Sequence, residues 1–353
     1  MSLHAIDDIS DAIDATKAFL LPFALRTWLK LAVVVFFITG GGGGFTNFPS
    51  SGNFGGEGGS GSGPDPVAAD GSVPTTLDGI VAAVSVELLV IVALAVLLVL
   101  LFGLLSNFME FVFVQSLVSR EVHVRRYLGR HVGNGLRLFL FRTVLNLGVL
   151  ALFAGVAYAV FVTTFGGSME NITVESLFPL LLLAIGAFFL VSVVLGLVNG
   201  FTNVFVVPMM VTGDRGLLGS WKRLLGSMRR NLKQYLAYLV FSIILALGIG
   251  IVAGTVAFVA ALALGIPVFI VAMVVLSMPG HGLVGVALVV LVGLLALLLL
   301  LLVTSFANVP LQAFLRYYAM LVLGDIDESL DPIPELRADI RPADGTIDDT
   351  PDA

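Results

Sequence analysis

The chain has 353 residues, 58% of them hydrophobic and only 12% charged, with a net charge of −6 and a mean hydropathy of +1.06. Soluble domains carry about 25% charged residues, which excludes that class. The absence of cysteine excludes disulfide frameworks, thiolate nucleophiles and Cys-based metal sites.

The N-terminal segment 6–20 carries an apolar stripe through Ile6, Ile9, Ile13, Thr16 and Leu20, spaced for one face of a helix, with an acidic opposite face (Asp7, Asp8, Asp11, Asp14). These acids replace the basic start of a signal peptide, so the first apolar run is expected to remain as a membrane helix. That run, about 19–39, contains Pro22, Arg26 and Lys30, whose long stems can reach the interface. Residues 40–76 are rich in Gly, Ser and Pro and read as a flexible coil. They lack the Gly-Lys-Ser/Thr of a phosphate-binding loop.

Apolar runs follow at roughly 80–106, 138–163, 177–205, 236–263 and 282–303, each long enough to cross a hydrocarbon core of ~30 Å with ~20 residues. The connections alternate in charge. Segment 119–137 holds Arg120, Arg125, Arg126, Arg130 and Arg137 against Glu121. Segment 212–233 holds Arg215, Lys222, Arg223, Arg229, Arg230 and Lys233 against Asp214. The loops 41–79 and 166–176 carry acids alone. Basic loops stay cytoplasmic, which gives six spans with both termini inside. The short apolar piece 267–278 reads as re-entrant or interfacial. Residues 324–353, with ten acids, two bases and four prolines, are expected to form an acidic, disordered cytoplasmic tail.

The chain repeats itself. Residues 103–119 align without a gap on 196–212, placing Phe108 on Phe201 and Glu110 on Asn203, and Phe306 and Asn308 offer a third copy. In the linker 217–232, Leu217, Trp221, Leu224, Leu225, Met228 and Leu232 form a helical face with the basic residues off it, as suits a membrane surface. The fold expected is all-α: a six-span transmembrane bundle of three tandem units at about 6–118, 122–211 and 217–323. Each unit is an interfacial helix followed by a hairpin, and the units are related by rotation about the membrane normal.

In this layout the chain resembles the membrane domain attached to some glycerophosphodiester phosphodiesterases. It is also similar to stand-alone haloarchaeal membrane proteins of unknown function, and the acidic, lysine-poor composition points to such a source. The soluble phosphodiesterase barrel is missing, so the resemblance implies no catalytic residue.

Within the spans, ionisable groups are the first functional candidates because burying them is costly. Glu110, Asn203 and Asn308 make a candidate polar ring, with Arg142 as the ion-pair partner of Glu110. Packing glue between helices is the plainer reading of the same residues. Glu87 lies near an outer end. His123 and His131, eight apart and close to Glu121, offer a metal site as the sharper reading but read better as solvated, and His281 as part of an outer turn. No zinc-protease or serine-hydrolase motif is present. Asn171-Ile172-Thr173 is a candidate glycosylation site in an acidic outer loop.

The function expected is a non-enzymatic integral membrane protein with a structural, accessory or scaffold role in lipid organisation. The alternative is a transporter or channel that uses the polar ring. The partners expected are the lipid bilayer and a lipid or small-molecule ligand. Neither nucleic acid nor a cofactor is expected.

Overall fold

The computed structural model describes residues 4–40, 86–166, 174–213, 216–278 and 282–341. Every regular element among them is helical. In chain order these are α1 (His4–Leu20), α2 (Leu25–Gly40), α3 (Val86–Ser119), α4 (Val124–Phe165) and α5 (Val174–Phe201). A π turn (Thr202–Val206) leads to α6 (Val207–Thr212), then α7 (Leu217–Arg230), α8 (Leu232–Ser277) and α9 (Gly282–Ile326). A 3-10 turn (Glu328–Leu330) and α10 (Pro334–Ile340) end the described chain.

Five segments are long and apolar enough to cross a membrane: Leu89–Ser119, Val124–Phe165, Phe178–Thr212, Leu232–Ser277 and Gly282–Ile326. Long stretches of them expose Leu, Val, Ile and Phe almost continuously, as in Leu89–Phe102, Leu181–Leu190 and Leu294–Val303. Water does not tolerate such surfaces at this scale. The chain is therefore a multi-pass membrane protein. Helix α2, with 16 residues, is shorter than these five.

The core lies at the other end of the bundle, built around the C-terminal half of α9. From Ala313 to Leu323 most side chains are buried on every side, the pattern of a central helix. Helices α1, α2 and α8 pack along α9, and the π turn and α3 touch it in the middle. Ala12 and Ala15 on α1, and Ala32 on α2, keep the neighbours of α9 close. The Tyr317 hydroxyl donates to the Leu117 carbonyl at 2.9 Å, and Tyr318 stacks on Tyr238 with centroids 5.7 Å apart.

Four expectations change here. Residues 267–278 are not a separate piece, because α8 runs unbroken through Pro267 to Ser277. The basic segment 124–137 is not a free interfacial helix but the first part of α4, packed antiparallel on α3. On α1 the buried face holds Asp8, Ala12, Ala15, Thr16 and Leu20, while Ile13 is exposed. The small residues face α9, so the stripe is turned from the one hydrophobicity alone suggests. Finally, 324–341 is not a disordered tail: Leu330, Ile333 and Leu336 are buried, and arginines of this segment bond to Asp8, Asp11 and Asp325. The acids that make it look solvated are matched by charges folded against them. The Gly-rich loop 41–76 lies outside the described residues.

Candidate functional site

The site begins with a proline. Pro208 has no N–H, which weakens the helical ladder around it. One residue earlier, the Val207 N–H bonds to Thr202 O, five residues back, instead of Asn203 O. The Asn203 carbonyl is thereby released from the ladder, and it accepts a hydrogen bond from Arg316 Nη1. Single π turns of this kind are frequent at functional sites because they redirect backbone groups.

Arg316 is the largest fully buried side chain, at 2% exposure. Its Nη2 forms an ion pair with the equally buried Glu110 carboxylate. The Asn203 side-chain oxygen accepts from Arg142 Nη2. Arg142 Nη1 donates to Asn107 Oδ1 at 2.6 Å, and Asn107 Nδ2 donates to Gly103 O at 2.6 Å. One network thus ties α3 (Asn107, Glu110), α4 (Arg142), the π turn (Asn203) and α9 (Arg316). Two guanidinium groups face one carboxylate, so neutral amide and carbonyl oxygens solvate the second cation. The Phe205 ring packs on Tyr238 at 4.9 Å, and Phe111 is buried beside Glu110.

The structure brings Glu110 and Asn203 together, but not through each other and not with Asn308. Asn308 is half-buried, bonds only its own helix at Thr304 O (2.8 Å), and lies about 12 Å along α9 from Arg316. The third position belongs to Arg316. Nor is Arg142 the hydrogen-bonded partner of Glu110: it binds the two asparagines, and Arg316 takes the carboxylate. Arg316 stands beyond the run 282–303, which hid it in the sequence. It was nevertheless the one base in an otherwise uncharged helix from Gly282 to Gly324.

The other candidates are placed as follows. Arg125, Arg126, Arg130, Lys222, Arg223, Arg229 and Arg230 are exposed. The buried face of α7 is Leu217, Ser220, Leu224 and Ser227, one position round from the expected stripe. His131 is not solvated. It is buried, stacked on Phe111, and bonded through Nε2 to Gln115 at 3.0 Å. His123 is exposed and lies 3.4 Å from Glu121. Asn171, His281 and the Glu87 side chain lie outside the described residues.

A second charged cluster was not foreseen. Arg341 bonds to Asp8 and Asp11 at 2.5 Å each and to Asp325 at 3.0 Å, while Arg337 pairs with Asp325 and with Asp331 at 2.9 Å. This fastens α1 to the segment 325–341. Burial pushes the Asp8 carboxyl up to about 6, against the pull of Arg341. For Arg341, burial opposes the charge, but its bonds to Asp11 and Asp8 outweigh that and raise its pKa.

The model of a family of unknown function, DUF7544, matches residues 3–333. The chain belongs to that family. Among curated proteins and among solved structures, nothing matches it. The DUF7544 match spans the Glu110 network and all the long apolar helices, stops short of Arg337 and Arg341, and assigns no activity to any of them.

Proposed function

We propose that the protein is a non-enzymatic integral membrane protein with a structural, accessory or scaffold role in lipid organisation. In this reading α2 joins the five long helices as a sixth span, the three units share one orientation, and both termini are cytoplasmic. The observation that carries it is the Glu110–Arg316–Asn203–Arg142 network. Glu110 pairs with Arg316, and both arginines bond to Asn203 within a packed core, as expected of a clamp that holds hairpin ends in register.

The test uses Glu110→Gln and the double variant Glu110→Leu/Arg316→Met, melted in detergent and reconstituted into vesicles. Breaking a buried pair by removing one partner costs about 3–5 kcal/mol, whereas replacing both members with apolar groups is often neutral. E110Q is therefore expected to melt well below the parent and the double variant to recover much of the loss. Vesicles containing the parent should pass small ions no faster than empty ones. A flux that E110Q abolishes without lowering the melting temperature would overturn the clamp and make the network a pathway.

A further inference from the structure

Where α7 meets α4, an apolar groove of ≈ 500 Å³ is walled by Leu140, Phe141 and Val144 on one side and Leu217 and Leu218 on the other. Gly216 and Gly219 leave it unfilled, and Arg137 stands at its edge. Leu140, Val144 and Leu218 are 52%, 67% and 76% exposed, so the walls are open rather than sealed by packing. Arg137 is exposed and has no ion-pair partner among the described residues. The groove therefore presents a cation at one end and hydrocarbon along its length.

We propose that this groove binds one phosphate-bearing membrane lipid, its chain lying against Leu140 and Val144 and its phosphate meeting Arg137. Two observations select this occupant over a peptide or a soluble ligand. Beyond residue 138, α4 exposes apolar side chains on nearly every side, which puts the groove in reach of acyl chains. On the other wall, α7 carries Lys222 exposed one turn beyond Gly219, so a second cation lies close to the groove and favours an anionic headgroup. A guanidinium also suits phosphate, because its fork of donors binds two oxygens at once. Gly216 opens α7 without a side-chain cap, which adds to the positive end of the groove.

The inference rests on the lipid-organising role proposed above and gives it a headgroup class and a place. It also predicts that the basic linker acts by direct contact as well as by setting topology.

The test is photo-crosslinking in phosphatidylcholine vesicles at about 0.1 M salt, where the Debye length is about 10 Å. The vesicles are doped with a small fraction of diazirine-tailed phosphatidylglycerol or, separately, equally tailed phosphatidylcholine, and adducts are mapped by peptide mass. The parent should show adducts on 140–144 and 217–219 with the anionic probe about fivefold above the zwitterionic one, the size of one basic contact. Arg137→Gln should bring the two probes level, and Gly219→Leu, which fills the groove, should suppress both. Both changes are at exposed positions, and R137Q alone decides the headgroup claim if G219L fails to fold. Equal labelling by the two probes in the parent, or anionic labelling undiminished in R137Q, would overturn the site. Either result would leave the clamp and its melting test standing, while a Glu110-dependent flux would remove the clamp and leave the lipid site.

Discussion

At the scale of single residues, the two charge clusters differ in how they satisfy burial. Glu110 gives its carboxylate to one guanidinium in an interior filled with Phe and Tyr. Asp8 shares Arg341 with Asp11 and Asp325, so four carboxylates, counting Asp331, meet two arginines. With its pKa raised to about 6, from about 3.9 in an unfolded chain, Asp8 binds more proton in the folded state. Its contribution is then fully present below about pH 4 and lost as pH rises through about 6. Asp8→Asn removes that term. The stability of the parent minus that of D8N, from melting in detergent, should fall by roughly 1–3 kcal/mol between about pH 4 and pH 7. A difference that stayed flat, or rose with pH, would show that Arg341 outweighs burial at Asp8.

At the scale of elements, glycine has two meanings within α4. A Cβ at Gly135 would overlap the Phe108 ring on α3, whereas Gly129 and Gly133 face open space. Gly135 is thus where α3 and α4 approach closely, just beside the stack of His131 on Phe111. Gly135→Ala should lower stability by about 1–3 kcal/mol, as overpacking does, despite better helix propensity. Gly129→Ala and Gly133→Ala should leave it unchanged or raise it by up to about 1 kcal/mol. Equal effects at all three positions in thermal melts would mean that α3 and α4 do not touch at Phe108.

At the scale of the whole molecule, orientation is tested by thiol labelling, since the parent has no cysteine. Ser227 is a poor reporter because it is fully buried and accepts from the Tyr235 hydroxyl at 3.1 Å. Gly226 is exposed with nothing around a Cβ. On intact cells an impermeant reagent should react with Ser60→Cys and Gly167→Cys, and with Gly226→Cys only after permeabilisation. Labelling of G226C on intact cells with silence at S60C would reverse the topology.

Hydrophobic length made the membrane class legible, because lipid constrains each helix on its own and a run such as 282–303 needs no partner to be read. The likeness of 103–119 to 196–212 brought Glu110 and Asn203 to notice for the same reason: it is a comparison of local sequence. Tertiary structure alone decided what those residues meet. Arg316 enters the network because α9 crosses α3 and the π turn, and the Asn203 carbonyl accepts from it where Pro208 disturbs the ladder, a consequence that appears only when a donor arrives from another helix. The same holds for the segment 324–341. Its acids read as solvated in one dimension, yet Arg337 and Arg341 draw it against α1 and α9, since charge pairing across more than three hundred residues has no local signature.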